Sequence, residues 1–198
     1  MLSRDYTGNT NYKFYNKCCT ENENINMVGQ YPANKFNKVL SCFADTDKWT
    51  EFYLPEIIDI PDQKPDIEGI VEVHSCIEII SQRVIKTPVV TGYTGPTGVF
   101  VPGEDIPNSE CTNLTGRKLI VEGLLKQKII YTAAVDEQSL HSAHFTVPFS
   151  TFIIVEKDTP LSQKFRILPF IEDVFACMLS ERSVFKNTTI FLKASKVC

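Results

Sequence analysis

The run GIVEVHSCIEII, Gly69 to Ile80, alternates with a period of two: Val71, Val73, Ile77 and Ile79 share one parity, and Glu72, His74, Cys76 and Glu78 share the other. Successive side chains of an extended chain point to opposite faces, so the run predicts a strand with one face on a core and one toward water. Immediately upstream lies LPEIIDIPDQKPDIE, Leu54 to Glu68, where acids and prolines crowd together. Glu56, Asp59, Asp62, Asp66 and Glu68 raise the question of a metal or a catalytic carboxylate pair. A calcium site needs several oxygens converging from one tight loop, and these acids do not follow that spacing. Pro61 and Pro65 are instead expected to hold the lead-in extended, with Ile57, Ile60 and Ile67 anchoring it and the acids keeping an exposed edge from pairing indiscriminately.

Working outward, Phe36 to Phe43 and Trp49 to Ile60 read as β-like, separated by the polar turn ADTDK. A second strand, about Val84 to Thr91, is expected after the short SQR link, and TGYTGPTG ends it with a cluster of turn residues. Gly92 to Gly116 reads as a long loop with a brief strand at Val99 to Val101. Lys118 to Ala134 predicts one long strand or two bent ones, because Leu119, Val121, Leu125, Ile129 and Tyr131 share a parity. Gly123 within it marks a bulge or a close approach of another chain segment. After the turn VDEQS, Ala143, Phe145, Val147 and Phe149 alternate again, and Pro148, lacking an amide hydrogen, belongs at an edge or a break. The last two patterned runs, FRILPFIEDVFACMLSE and SVFKNTTIFLKAS, fit a hairpin better than a helix.

The fold class that follows is all-β, antiparallel and sandwich-like, with a flexible N-terminal tail. Two readings of its organisation stand side by side. Residues 35–91 and 117–198 form two related β modules joined by the Gly/Pro loop 92–116, or residues 35–198 form a single domain.

Composition narrows the function. At 198 residues and 43% apolar content the chain can bury a substantial core. A net charge of −4 with interspersed lysines and acids offers no continuous positive surface, so no nucleic-acid partner is expected. No apolar window reaches the length of a bilayer span, and synthesis without signal-peptide export is expected. His141 and His144 fall on opposite faces of a strand, and His74 and Cys76 on one strand stand too far apart for a nucleophile and its base. No phosphate loop, nucleophile elbow or zinc-binding helix motif occurs. The chain reads as no enzyme, with no catalytic residue, metal ligand or cofactor.

Residues 1–34 read as a flexible arm of seven asparagines and four tyrosines, Tyr6, Tyr12, Tyr15 and Tyr31. Such an arm can pack its rings on a neighbouring subunit, and the alternative is a tail with no role. Of the seven cysteines, Cys18, Cys19 and Cys198 sit where burial is not expected and suit bonds between molecules; the alternative is inert thiols in a reducing compartment. Cys76 and Cys177 are expected to act as small buried hydrophobes.

Two blocks, WTEFYLPEIIDIPDQKPDIEGIVEV (Trp49 to Val73) and KLIVEGLLKQKIIYTAAVDEQSLHSAHFTVPFSTFI (Lys118 to Ile153), resemble the SPOCS domain family of spore coat and spore-associated proteins in endospore-forming clostridia and their relatives. The likeness rests on Pro61, Pro65, Asp66, Ile67 and Glu68, on Gly123 and Tyr131, and on His141, Ser142, Phe145, Pro148, Phe149 and Phe152, with VPFSTFI its most specific part. The Asn/Tyr-rich arm departs from the family pattern, and no LysM-like module of some larger members is present in the sequence read. The resemblance implies a non-catalytic structural protein, made in the mother cell and placed in the spore coat or exosporium. Its implied partners are further copies of itself, as an oligomer or polymer, and other spore coat or exosporium proteins. The competing reading is an adaptor that docks a spore morphogenetic protein without polymerising.

Overall fold

The computed structural model describes residues 25–41, 47–89, 93–94, 96–101 and 115–197. Along the chain these form β1 (Asn26–Val28), α1 (Ala33–Ser41), β2 (Lys48–Asp59), β3 (Ile67–Val89), β4 (Tyr93–Thr94), β5 (Phe100–Val101), β6 (Thr115–Ala133), β7 (Leu140–Ile154), β8 (Phe165–Met178) and β9 (Ser183–Lys196). One sheet has the order β1-β3-β6-β7 and a second the order β2-β9-β8, with β4 and β5 as a separate small hairpin. The sheets stack with β3 over β8 and β7 over β2. This is the expected all-β sandwich. All pairings are antiparallel except β1 on β3, which is parallel and covers only Glu72 to His74.

Each sheet mixes strands from both sides of the 92–116 segment: β3 with β6 and β7, and β2 with β8 and β9. The alternation sets the core. Leu119, Val121, Leu125, Ile129 and Tyr131 of β6 are all fully buried, as are Val184, Ile190, Leu192 and Ala194 of β9. Burial falls in two clusters along the sandwich, one around Ile58, Val73, Leu125, Ile129 and Val174, the other around Leu119, Val121, Phe149, Phe165 and Leu192, and Leu54 and Ile77 pack against both.

Four expectations need correction. The Phe36 to Phe43 run is helical in its described part, as α1, because its apolar residues recur at helical rather than strand spacing. The SQR link is not a break: β3 runs unbroken from Ile67 to Val89 and absorbs the irregularity as a bulge between Ile79 and Ser81. Ile57 is exposed, since it shares the outward parity of β2, whereas Ile60 and Ile67 are in the core. Cys76 is exposed on the outer face beside Glu78, and only Cys177 is buried.

The three long strands at sheet margins each carry an internal proline, Pro55 in β2, Pro148 in β7 and Pro169 in β8; β3 carries Pro88 near its end, beyond the residues that β1 covers, and β6 and β9, paired on both sides, carry none. A residue without an amide hydrogen fits where one side of the strand has no ladder to complete.

Gly123 is a close approach, and the bulge lies opposite it on β3, where Ile79 is its partner. A Cβ at Gly123 would stand 2.5 Å from Phe149 Cζ and 2.7 Å from the Glu78 carbonyl oxygen. The ring can swing but the carbonyl is fixed in the ladder. Gly123→Ala is therefore expected to destabilise the fold by about 1–3 kcal/mol, with a partial recovery when Phe149→Leu is added. Urea unfolding of the single and double variants measures both.

Candidate functional site

The acids of the lead-in go to separate addresses. Ile60 N–H donates to the Arg182 carbonyl (2.8 Å) and Ile67 N–H to the Glu181 carbonyl (2.7 Å), so residues 60–67 embrace the turn between β8 and β9. Pro61 opens a turn rather than an extended lead-in, closed by Lys64 N–H on the Pro61 carbonyl at 2.9 Å. Into this turn reaches the Arg182 guanidinium, donating to the carbonyls of Pro61 (3.2 Å) and Lys64 (3.1 Å) and to the Asp66 carboxylate. The Pro65 carbonyl accepts from the Tyr131 hydroxyl at 3.2 Å, whose pKa burial pushes up, and the Asp66 carbonyl accepts from Ala134 N–H at 2.9 Å. Asp59 accepts from the Ser183 hydroxyl, Glu68 accepts from the Gln138 amide (2.7 Å), and Asp62 stands in solvent 4.0 Å from Arg182. The segment is a clasp joining the two sheets. Among the described residues no three or more His, Cys, Asp or Glu side chains gather as a metal site.

Glu56, the remaining acid, points inward. Lys186 sits opposite it in the β2–β9 ladder, fully buried, with its ammonium 3.6 Å from Glu56 Oε1 and donating to the Thr188 hydroxyl. From the other sheet, Gln127 donates to Glu56 Oε2 at 2.9 Å. Burial pushes the Lys186 pKa down to about 8, against the opposing pull of the Glu56 carboxylate. A second charged tie closes the opposite end: Glu156 meets Lys48 at 2.8 Å and Lys196 at 3.3 Å. Burial alone would raise the Glu156 pKa, and the hydrogen bonds from the two lysines and the backbone overcome it, to about 2. These groups are held by one another, so they serve register and cohesion.

The histidines are dispersed as the alternation predicts. His141 faces inward, with its ring 6.0 Å from that of Tyr131 and Nε2 3.1 Å from the Ser139 hydroxyl. His74 and His144 lie on the outer face of the first sheet, with Lys128 between them in register, and His74 Nε2 is 3.2 Å from Glu72.

Two outward features remain. The outer face of the second sheet carries an aromatic cluster that closes over α1: Tyr31 and Phe36 meet Phe170 edge-on at 5.0 and 5.8 Å, Phe36 meets Phe191 at 5.0 Å, and Trp49 stacks on Phe191 at 5.4 Å. Beyond the helix, the outward parity of β2 leaves Trp49, Tyr53 and Ile57 exposed at 55%, 70% and 65%.

A family profile described as SipL, SPOCS domain, matches residues 66–179. The chain belongs to the SPOCS family. Searches of curated proteins and of solved structures found no match. Membership makes the chain a spore-coat-associated protein of a sporulating bacterium, with a place in the coat or exosporium and a structural rather than catalytic role. The matched SPOCS span holds β3, β6, β7 and β8, and it begins at Asp66, whose partner Arg182 lies just past its end.

Of the residues expected to mediate assembly, Cys18, Cys19, Cys198, Tyr6, Tyr12 and Tyr15 lie outside the described part of this SPOCS chain. Tyr31 lies inside it, on its own body: its N–H donates to the Ile171 carbonyl at 2.7 Å and its ring packs on Phe170 and Phe36. The β2 column was the feature that sequence reading missed. Its signal was present, since Trp49, Tyr53 and Ile57 share one parity and Phe52, Leu54 and Ile58, which supply the core, share the other.

Proposed function

We propose that this SPOCS chain is a self-assembling structural subunit of the spore envelope, in the coat, the exosporium or an appendage. It polymerises through contacts between sandwich bodies, with exchange of N-terminal arms and disulfides through Cys18, Cys19 and Cys198 as reinforcement. Residues 35–198 act as one folding unit, a reading supported by sheets that each draw strands from both halves of the chain.

One observation carries this reading. Three large apolar side chains, Trp49, Tyr53 and Ile57, are exposed in a single outward column, with Glu51 and Pro55 between them. Apolar surface gathered in one place is a usual mark of a protein contact, whereas scattered apolar residues need no explanation. Contacts that do not close on themselves give filaments or lattices. Proline-bearing margins favour joining through side chains and arms over extension of the sheets.

The test is electron microscopy and sizing chromatography of the purified protein in oxidising and in reducing buffer. Ordered polymers, lengthened or hardened against denaturant by oxidation, are the expected result. A monomer or dimer at high concentration in both buffers would discard polymerisation in favour of an adaptor that docks a morphogenetic protein.

A further inference from the structure

We infer that the β2 column of one copy is the landing strip for residues 6–15 of a second copy. This inference rests on the self-assembly reading and names the partner surface within it. The column presents Trp49, Tyr53 and Ile57, with Glu51 between the first two and Pro55 between the last two. Beside it on β9 the register places Thr189 next to Tyr53 and Asn187 next to Pro55. An occupant matched to this strip has aromatic rings for the apolar rungs and hydroxyls for the neighbouring polar groups.

Residues 6–15, YTGNTNYKFY, have that chemistry: Tyr6, Tyr12 and Phe14 share a parity in an extended chain, with Tyr15 alongside. The same sheet face already accepts aromatics from the N-terminal part of its own chain, in the seating of Tyr31 and Phe36 on Phe170 and Phe191.

The direction of the chain selects a second copy over the first. β1 runs parallel to β3, so the chain enters β1 at Asn26 from the Ile67 end of β3. β1 sits outside β3, and β3 lies over β8, at the margin opposite β2 in the order β2-β9-β8. The described chain thus begins at the sheet margin farthest from the β2 column. Tyr31 and α1 are fastened across β8 and β9, so exchange begins upstream of Ile25. Arm on one side and strip on the other make a head-to-tail contact, which extends without closing.

The experiment compares three full-length proteins in reducing buffer, where thiols contribute nothing: the wild type, a strip variant (Tyr53→Ser, Ile57→Ser) and an arm variant (Tyr6→Ser, Tyr12→Ser, Phe14→Ser, Tyr15→Ser). Light scattering and sedimentation are expected to show polymers for the wild type and monomers for each variant at concentrations at least tenfold higher. An equal mixture of the two variants is expected to form a heterodimer and stop there, because one supplies the only arm and the other the only strip. Unchanged thermal melting of both variants verifies that the exposed substitutions leave the fold intact. Variants that polymerise like the wild type overturn the inference and leave self-assembly standing. Monomeric variants whose mixture gives no heterodimer also overturn it, since the arm then docks on its own body. A wild type that never assembles overturns the self-assembly reading itself.

Discussion

Lys186→Ala is expected to destabilise the protein by about 3–5 kcal/mol, because the substitution leaves the Glu56 carboxylate between the sheets without its counter-charge. Glu56 and Lys186 face each other between the pairs Ile58 with Val184 and Leu54 with Thr188, where the Thr188 hydroxyl already serves Lys186. Gln127 alone then remains to hold the carboxylate. Glu56→Met combined with Lys186→Met is expected to lie well above Lys186→Ala in stability, since it removes both charges and keeps volume. Guanidinium titrations of the two proteins check the order. The pH dependence carries a further sign. Lys186 titrates at about 8 in the folded state against 10.5 for the unperturbed side chain. Between those values the unfolded chain binds more protons than the folded one, so this group makes stability rise as pH increases from about 8 to 10.5. That rise is expected in the wild type and absent from the double variant.

The second large effect is expected at the clasp. Arg182→Ala removes a charged fork that satisfies the carbonyls of Pro61 and Lys64 and pairs with Asp66. Hydrogen bonds to charged groups contribute about 1.5–3 kcal/mol each, and with the site partly open to water a loss of about 2–4 kcal/mol is expected overall. Arg182→Lys keeps the charge but not the planar fork, so it is expected to recover less than half of the loss. Hydrogen exchange separates a local from a global effect: the amides of Ile60 and Ile67, bonded across to Arg182 and Glu181, should lose protection first. Equal protection in wild type and variant would refute the clasp.

Much of the fold was legible because alternation is a local property. β3, β6, β7 and β9 announce their inner faces within a few residues, and Gly123 announced an approach without naming what approaches. The helix was misread although Phe36, Val39, Leu40 and Phe43 stand at the i, i+3, i+4, i+7 spacing of a helical face. Its Asn- and Lys-rich surroundings and short length hid that period. Lys186 and Thr188 share the parity of Val184 and Ile190, so their burial was readable, but their partners were not. Asp66 and Arg182 are 116 residues apart, and Gln127 and Glu56 are 71 apart; only the stacking of the sheets brings them together. The acids therefore looked like one cluster in sequence and went to four separate places in space, with Asp62 and Asp66 sharing Arg182.

The prolines at the sheet margins have a consequence in time as well as in space. β2 pairs with β9 along its whole length, and β9 leaves the ribosome only after β3 to β8 have been made. Pairing between such distant segments is slow, because a long loop must close before any contact rewards it. During that interval β2 waits with both margins bare and its apolar residues available to any other nascent chain. Pro55 interrupts the ladder such an encounter would build, so unfinished chains are hindered from tangling through β2.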